Sequence, residues 1–382
     1  MLTTSERALL LLNMLPGIGP VRVRRLVEAF GAPEAVLAAS GQALARTPGI
    51  GPGLAETLAT ATQGEDLVAE CRRIERAGIE LVFQHDDDYP ALLRQIHDPP
   101  LLLYLQGDRG VLKACGAGVA MVGSRHTTVY GRSVAERLAF EAAKAGVPVV
   151  SGLARGIDTF VHEGILAHGG RTVAVIGSGL GHLYPPENIP LARRIAENGG
   201  AVVTEFPMAF RPDKRTFPMR NRIISGMTAA TVVIEAGDNS GSLITAAAAS
   251  QQGRLVFAVP GRVDSPLSRG CHALIRDGAT LVESFDDVRQ ELALLPGLAM
   301  PSGTSPQATP VRSPPALSDL EQRILRHLVD GGETAIDSLI ASLEPLAAPG
   351  AVLAALVTLE MRRLACQRPG RRIAARPGLE LD

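Results

Sequence analysis

Short runs of apolar, often β-branched residues alternate with stretches of helical pattern between residues 66 and 295, and this alternation constrains the fold most. The candidate strands are Gly118–Val122, Val147–Val150, Thr172–Ile176, Ala201–Thr204, Thr231–Glu235, Leu255–Val259 and Thr280–Glu283. Helical patterns such as Val129–Ala145 and Ser242–Gln252 lie between most of them. Apolar strands that alternate with helices predict a doubly wound, mostly parallel α/β sheet over this region.

Residues 1–65 are helical in pattern and contain an internal repeat. The hexapeptide LPGIGP at 15–20 is echoed as TPGIGP at 47–52, beside amphipathic stretches such as Val21–Phe30 and Leu54–Ala61. This is the helix-hairpin-helix pattern, in which a glycine turn presents backbone N–H groups to a DNA phosphate. A plain helical hairpin, with Pro and Gly as cap and turn residues, explains the same repeat. Both interpretations stay open.

The C-terminal part predicts a linker and a small winged-helix-like domain. Residues 296–317 are rich in Pro, Ser and Thr, which is typical of a linker. Over 318–382, helical patterns at Ser318–Leu328, Ile336–Leu343 and Gly350–Leu364 precede a tail at 368–373 that predicts a β-hairpin wing. The third helix has no basic residue before Arg362, whereas a recognition helix presents polar or basic side chains to base edges. We therefore expect this domain to contact mainly protein.

Composition restricts how such a chain could bind a polyanion. The formal net charge is −1, there is no Trp, and aromatic residues make up 3% of the chain. Any grip on nucleic acid must therefore come from a local basic patch and from backbone amides. The four cysteines form no CxxC pair, so we expect neither a metal site nor disulfides but a reducing, cytoplasmic environment. The apolar run at 8–12 is too short for a signal peptide or membrane helix.

Two turns that follow predicted strands carry residues suited to binding phosphate. They consist of Gly123, Ser124 and Arg125, and of Ser240, Gly241 and Ser242. In the first turn, backbone amides, a hydroxyl and a bidentate guanidinium meet at the start of a helix. Because ligands of open α/β sheets bind at the carboxyl ends of strands, both turns should line one groove. An ordinary strand–helix turn with a solvated arginine is the alternative.

A third turn, over residues 151–158, also follows a strand. Gly152 and Gly156 permit a ligand to approach the backbone closely, and Arg155 lies between them. Asp158 and His162 stand one helical turn apart. We interpret them as a structural pair, because no nucleophile or second carboxylate accompanies them.

The glycine-rich run GSGLGH at 177–182 superficially resembles a dinucleotide fingerprint. His182 stands where the fingerprint needs a glycine, and a proline-containing turn follows in place of a helix. We therefore expect no dinucleotide cofactor.

The segment 211–222 supplies the positive patch that the overall composition lacks. Its basic residues are Arg211, Lys214, Arg215, Arg220 and Arg222, and Asp213 is the one acidic residue, giving a net charge of +4. Phe217 offers a ring on which a base could stack. A charge cluster of this kind in a nearly neutral chain indicates a polyanion-binding surface. A solvated charged loop is the alternative.

Taken in order, these motifs resemble the DprA/Smf family of DNA-processing proteins of natural transformation. The matching segments are GSR at 123–125, SGLARGIDT at 151–159, IGSGL at 176–180, YPPEN at 184–188, FPMRNRII at 217–224 and SGSLIT at 240–245. The resemblance covers about residues 66–295. The helical N-terminal region and the C-terminal winged region fit the family layout with weaker motifs.

The resemblance implies an extended Rossmann fold, a homodimer formed through the central domain, and a protein without catalysis or cofactor. Such a protein binds and protects incoming single-stranded DNA and loads the RecA recombinase onto it. The implied DNA-binding positions are Gly123, Ser124, Arg125, Gly152, Lys214, Phe217, Arg220 and Asn221, and the turns and basic segment add Arg155, Arg222, Ser240, Gly241 and Ser242. Some relatives carry a DNA-contacting lysine where this chain has Pro186, so Lys214 is expected to contribute more.

Two other functions remain open on the sequence alone. A Rossmann-like nucleotide hydrolase of the lysine-decarboxylase-like superfamily also has glycine-rich turns after parallel strands. Such an enzyme needs an acidic residue beside a Gly-Gly-x-Gly-Thr-type turn, and Glu235 with the turn at Ser240 lacks that form. A pure interaction scaffold would have no DNA affinity.

Overall fold

The computed structural model describes residues 2–61, 64–295, 317–344, 346–362, 364–368 and 371–375. The chain forms two compact units, one up to residue 306 and the other from residue 307. The predicted linker, apart from Leu317, lies outside the described residues. Within the described part of the chain, no helix combines the length and apolar character that a membrane span requires.

Six helices open the first unit. They are α1 Thr4–Met14, α2 Pro20–Phe30, α3 Pro33–Ala38, α4 Gly41–Leu44, α5 Pro52–Thr60 and α6 Glu65–Arg76. Proline occupies the first position of α2 and of α5, where its missing N–H costs nothing and its fixed φ suits a helix start. The two copies of the GIGP repeat are therefore two equivalent helix entries.

The central sheet contains nine strands in the order β1-β2-β6-β5-β4-β3-β7-β8-β9. The strands are β1 Glu80–Phe83, β2 Leu102–Gly107, β3 Val119–Val122, β4 Val149–Ser151, β5 Thr172–Val175, β6 Ala201–Thr204, β7 Ala230–Val233, β8 Leu255–Ala258 and β9 Thr280–Leu281. Strands β3 to β9 pair in parallel, which confirms the predicted doubly wound sheet. Strands β1 and β2, which the sequence analysis did not predict, add an antiparallel edge beside β6.

Helices cover both faces of this sheet. They are α7 Ala91–Arg94, α8 Gly110–Ala114, α9 Val129–Lys144, α10 Ile157–Ala167, α11 Ile189–Glu197, α12 Thr216–Gly226, α13 Gly241–Gln251, α14 Arg269–Arg276 and α15 Phe285–Ala293. Side chains of β3 alternate between two cores: Met121 packs on one side with Leu138 of α9, and Ala120 packs on the other with Ile223 of α12. Burial on both faces explains why the strands are uninterrupted apolar runs.

The N-terminal helices share a core with the antiparallel edge of the sheet. Leu10 and Leu11 of α1 belong to the same buried cluster as Leu102 and Tyr104 of β2. The Asn13 side-chain amide also donates a 2.9 Å hydrogen bond to the carbonyl of Glu205. The predicted boundary between residues 65 and 66 stays a prediction, because elements on both sides of it are packed together.

Over its described residues, the second unit contains three helices and a small sheet. The helices are α16 Asp319–Gly331, α17 Ile336–Leu343 and α18 Pro349–Met361, and the strands are β10 Thr334–Ala335, β11 Ala365–Arg368 and β12 Arg372–Ala375. Strands β11 and β12 form the predicted antiparallel wing. Their buried residues join those of the helices in one core, which confirms the winged-helix-like fold.

Candidate nucleic-acid interface

A cleft of about 600 Å³ opens where the strand order of the central sheet reverses, between the carboxyl ends of β3 and β7. In open α/β sheets this is the usual position of a ligand. The predicted site residues that line it are Gly123, Ser124, Arg125, Lys214, Phe217, Arg220, Asn221, Ser240, Gly241 and Ser242. Gly152 and Arg155 line a smaller adjoining hollow with Arg125 and Phe217. The structure therefore brings the two predicted phosphate-binding turns and part of the basic segment together at one cleft.

Arg222 does not line either of these cavities. Its guanidinium is largely buried and forms 2.7 Å ion pairs with Asp98 and with Glu205. Arg220, two residues earlier on α12, lines the cleft instead, because residues two apart on a helix project in nearly opposite directions, about 200° from each other. Arg222 is thus placed to hold α12 against the rest of the unit, and its predicted DNA contact has no support in this geometry.

The rest of the basic segment is also divided by local pairing. Arg215 pairs with Asp213, two residues earlier, at 3.0 Å. Helix α12 begins at Thr216, within the basic segment. Arg211 and Lys214 are exposed and make no ion pair with the residues that the structure describes. The positive charge that lines the cleft is therefore smaller than the sequence count, and it belongs to Arg125, Lys214 and Arg220.

The turn at residues 123–125 is held by bonds within the protein. The Ser124 N–H donates to the carbonyl of Glu235 at 2.7 Å, and the Ser124 hydroxyl donates to the carbonyl of His126 at 2.8 Å. The predicted free hydroxyl is therefore already engaged. What the turn presents to the cleft is the exposed Arg125 side chain, whose guanidinium lies 5.2 Å from the ring centre of Phe217.

Glu235 occupies the N-terminal end of α9, where the sequence predicted that a phosphate would bind. One carboxylate oxygen accepts from the Thr127 hydroxyl at 2.7 Å and from the Thr128 N–H at 2.9 Å. The other accepts from the Thr128 hydroxyl at 2.7 Å. A carboxylate at this position satisfies the helix dipole as a phosphate would. Sequence reasoning considered Glu235 only as an enzyme residue, although an acid ending a buried strand needs such a partner.

The two glycines predicted to allow close ligand approach also allow close packing within the protein. A Cβ on Gly152 would overlap the guanidinium of Arg220, and one on Gly156 would overlap the carbonyl of Ser124. Gly156 also has φ of +76°, which favours glycine. These glycines make room for Arg220 and for the 123–125 turn, and the DNA contact expected at Gly152 stays a prediction.

Arg220 is a buried cation at the inner wall of the cleft. It is 3% exposed, and its Nη1 donates to the carbonyl of Val175. Burial lowers the Arg220 pKa to about 10, and the nearby Asp158 opposes that effect. Its Nε has no hydrogen-bond partner within the part of the chain that the structure describes. A buried guanidinium with an unused donor indicates a site for an acceptor.

Asp158 and His162 have separate structural partners and do not pair with each other. The Asp158 carboxylate accepts from the N–H groups of Gly152 at 3.1 Å and Ala154 at 3.3 Å, and burial raises its pKa. His162 Nδ1 lies 2.8 Å from the Thr172 hydroxyl. Burial lowers the His162 pKa to about 3, with a smaller contribution from Arg220, so the ring is neutral. The structural interpretation fits these contacts, but the proposed pairing was wrong.

Helix α13 points its N-terminal end at the cleft. Ser240 caps the helix, its hydroxyl accepting from the Ser242 N–H at 3.4 Å. Asn221 of α12 donates to the carbonyl of Gly241 at 3.1 Å and so ties the basic helix to this turn. The partial positive charge of a helix N-terminus favours an anion here.

Tyr184 is a site residue that the sequence analysis missed. Its ring centre lies 5.8 Å from that of Phe217, and the Arg155 guanidinium lies 5.6 Å from the Tyr184 ring. With Arg125 over Phe217, the four side chains form a row in the order Arg125, Phe217, Tyr184, Arg155, two adjacent rings between two cations, which we call the stacking row. Arg155 also pairs with Glu187, so part of its charge is already compensated. The YPPEN segment was the available signal.

The N-terminal repeat uses its own arginines. The Arg22 guanidinium donates to the carbonyl of Gly17 at 2.8 Å and to that of Gly49 at 3.2 Å. Arg25 donates to the carbonyl of Pro48 at 3.4 Å. These bonds join the two copies of the repeat, which favours the plain hairpin interpretation over phosphate binding by these side chains.

Helix α18 of the second unit presents an apolar outer face. Leu353 is 42% and Val357 is 54% exposed, and the two are one helical turn apart. No ionisable residue occurs from Leu346 to Leu359. This face lacks the donors and acceptors that base edges require.

One cluster of possible metal ligands occurs among the described residues, although the sequence predicted no metal site. Glu6, His85 and Asp86 place ligand atoms within 4.8 Å of one another. Asp86 already bonds Arg109 at 2.8 Å and the Phe83 N–H at 3.0 Å. Its carboxylate is therefore engaged in holding the β1 edge.

Comparison with known proteins matches each part of the chain to a described family. Residues 80–293 match the family of DNA recombination-mediator protein A. Residues 9–63 match the SAM-like helix-hairpin-helix tandem, and residues 308–371 match the DprA winged helix domain. Together these matches follow the predicted order of three regions.

Curated relatives and solved structures agree with these matches. Protein Smf of Synechocystis is 33% identical over 95% of this chain and 97% of its own length. DNA processing protein DprA of Bacillus subtilis is 41% identical over 56% of this chain and 72% of its own length. The crystal structure of DprA from Streptococcus pneumoniae, 34% identical, superposes with a TM-score of 0.65 over 76% of this chain and 99% of that one.

A second solved structure concerns a ligand. It is described as giving insights into the unique single-stranded DNA binding mode of DNA processing protein A from Helicobacter pylori, and is 28% identical to this chain. It matches with a TM-score of 0.51 over 56% of this chain and 95% of that one. On the family match, the relatives and the shared fold, this chain belongs to the DprA/Smf family of DNA recombination-mediator proteins.

Proposed function

We propose that this protein binds single-stranded DNA in the cleft between β3 and β7, protects it, and loads the RecA recombinase onto it during natural transformation or DNA recombination. The observation that carries the DNA-binding part is the buried Arg220 with an unused donor, lining a cleft beside a helix N-terminus. The relative from Helicobacter pylori, whose structure concerns single-stranded DNA binding, supports it.

The cleft suits the backbone and bases of a single strand. Arg125, Lys214 and Arg220 supply the cations, and the N-terminal end of α13 supplies amides for phosphate. The stacking row offers ring faces, and any base can stack on a ring. Unstacked bases are available in a single strand and hidden in a duplex, so we expect preference for the single strand without strong sequence choice.

Alanine at Arg125 is expected to weaken single-strand binding by about tenfold to a hundredfold, since a hydrogen bond between charged groups contributes about 1.5–3 kcal/mol. The loss should be similar for oligonucleotides of different sequence, because phosphate contacts do not read bases. Fluorescence anisotropy with labelled single-stranded and duplex 30-mers across a salt series measures it. The logarithm of affinity should fall with log salt by about 0.7 per phosphate neutralised.

Arg193→Ala is the matched control, since Arg193 is an exposed arginine on α11 that does not line the cleft. Its affinity should equal that of the unchanged protein. Equal affinity for duplex and single strand, or an Arg125→Ala variant that binds normally, would contradict the proposal.

We propose that the protein acts without catalysis. The acid that a nucleotide hydrolase would use at this switch point is Glu235, and both of its carboxylate oxygens are engaged by Thr127 and Thr128. That engagement favours DNA binding over the hydrolase alternative. Release of free base from a nucleoside monophosphate by the pure protein would reverse this choice.

We infer that the protein forms a homodimer through the central unit. Strand β9 ends the sheet and leaves Leu281 44% exposed, and α14, which packs on the adjacent strand β8, carries the half-buried Leu274 and Ile275. An apolar, unpaired edge of this kind is available for a second copy.

Replacing Leu281 by lysine is expected to convert the dimer to a monomer of 40.1 kDa, as measured by light scattering after gel filtration. A charge at the centre of an apolar interface is costly to bury. Leu294→Lys, at a leucine that is 75% exposed and outside this edge, should leave the dimer intact. A monomeric unchanged protein, or a dimeric Leu281→Lys, would contradict the inference.

Recombinase loading and a cytoplasmic location complete the proposal. The four cysteines of the protein are free thiols, which suits a reducing compartment where single-stranded DNA and a recombinase are both found. The apolar face of α18 is a surface suited to a protein partner. The test of loading is strand exchange by RecA on DNA covered with single-strand binding protein. Without acceleration by this protein, the loading role fails while DNA binding stands.

A further inference from the structure

The inner wall of the cleft combines two independent features that attract an anion. The first is Arg220, 3% exposed, whose Nε has no partner among the described residues. The second is the N-terminal end of α13, an eleven-residue helix capped by the neutral side chain of Ser240. At α9, by contrast, the Glu235 carboxylate fills the corresponding position. A ligand anion bound at the N-terminal end of α13 would stabilise that helix end as the Glu235 carboxylate stabilises the N-terminal end of α9.

The charges around this wall distinguish between kinds of phosphate. Arg125, Lys214 and Arg220 line the cleft with the single carboxylate of Asp158, a net charge of +2 when all four are ionised. A phosphodiester within a strand carries one negative charge. A phosphate monoester carries about −1.5 to −2 near neutral pH and has three acceptor oxygens. The monoester is the better complement in both charge and number of acceptors.

The dimensions fit one nucleotide with its terminal phosphate. The volume of about 600 Å³ lies within the usual range for small-molecule sites, about 300–1,000 Å³. Phe217, on the same cleft, offers its ring to the base. Arg220 lies behind Gly152, whose missing side chain leaves room for the guanidinium.

We propose that this cleft is a terminal-phosphate site, one that binds a phosphate monoester in preference to an internal phosphodiester. The proposal rests on the proposed binding of single-stranded DNA and names its preferred ligand. Two sources share this chemistry: the phosphorylated end of a strand, and a free nucleoside monophosphate. A strand held by its end would leave the rest of its length free for other proteins.

The test compares full-length protein with short single-stranded 10-mers that differ only at their ends. One carries a 5′-phosphate, one a 3′-phosphate, and one hydroxyl groups at both ends. We expect a phosphorylated end to raise the affinity about tenfold, as an added charge-assisted contact would. Arg220→Met should abolish the difference, and Lys214→Ala, at an exposed position where we expect folding to be unchanged, should reduce it. Arg193→Ala should retain it.

A second measurement identifies the source of the monoester. Deoxyadenosine 5′-monophosphate is tested against deoxyadenosine for thermal stabilisation of the protein and for displacement of the phosphorylated 10-mer. Displacement by the monophosphate shows that free nucleotides occupy the site; its absence, with the end preference intact, assigns the site to strand ends. Equal affinity for phosphorylated and hydroxyl ends overturns the inference while leaving single-strand binding in place. Failure of every oligonucleotide to bind overturns both.

Discussion

Replacing Glu235 by alanine is expected to lower the free energy of unfolding of the first unit by about 3–5 kcal/mol. Glu235 is 3% exposed and accepts three hydrogen bonds from Thr127 and Thr128. Without it, two hydroxyls and the backbone N–H of Thr128, the N-cap residue of α9, lose their acceptor, and a cavity remains beside Gly131. Urea titration followed by circular dichroism measures the change.

Glutamine at the same position separates hydrogen bonding from charge. Its amide oxygen can accept from Thr127 and Thr128, and its NH₂ can donate to the Thr128 hydroxyl. Glu235→Gln should therefore cost only about 1–2 kcal/mol, the contribution of a negative charge at a helix N-terminus. Glu197→Ala, at an exposed glutamate of α11, should change stability by less than about 0.5 kcal/mol. Equal losses for the alanine and glutamine variants would show that charge, not bonding, holds the turn.

The second large effect is expected from Gly152→Ala. A single methyl group would overlap the Arg220 guanidinium, which is buried and cannot move away freely. We expect a loss of about 3 kcal/mol of stability, from overpacking next to a displaced charge. Single-strand affinity should also fall, by about tenfold or more, because Arg220 would leave the wall of the cleft.

A double-mutant cycle tests that explanation directly. In an Arg220→Ala background the overlap is gone, so adding Gly152→Ala should cost almost nothing, and the coupling energy should be about 2–3 kcal/mol. Gly116→Ala is the control, since a Cβ there would meet no atom within 4 Å. If the two substitutions prove additive, Gly152 acts through its backbone and not through Arg220.

The parallel part of the fold was predictable because it is buried on both faces. Each of β3 to β9 starts within two residues of its predicted position. A strand that is buried on both faces has an uninterrupted apolar sequence, which is easy to recognise. Strands β1 and β2 escaped prediction for the opposite reason. The run at 101–105 is mostly leucine, which also forms helices readily, and β2 pairs with β1 in the antiparallel sense, outside the parallel βαβ pattern.

The location of the site could be predicted from the sequence, but many of its side-chain contacts could not. The carboxyl ends of parallel strands meet at one edge, so turns distant in sequence had to come together. Charge pairing, however, depends on long-range neighbours: Arg222 pairs with Asp98, which lies 124 residues earlier. Glu235 and Thr128, and the rings of Tyr184 and Phe217, are likewise brought into contact from distant parts of the sequence. The pairing of Arg215 with Asp213 is local and could be read from the sequence, whereas the partners of Arg222 could not.

The core that α1 shares with β2 has a consequence for experiments on parts of this protein. Deleting the N-terminal helices would expose Leu102 and Tyr104, both now fully buried, as an aggregation-prone apolar patch along the sheet edge. It would also remove Asn13 from the carbonyl of Glu205, the residue that anchors Arg222 and through it α12. A shortened protein that failed to hold DNA would thus report aggregation or a loosened α12, and would say nothing about contact between DNA and the deleted helices.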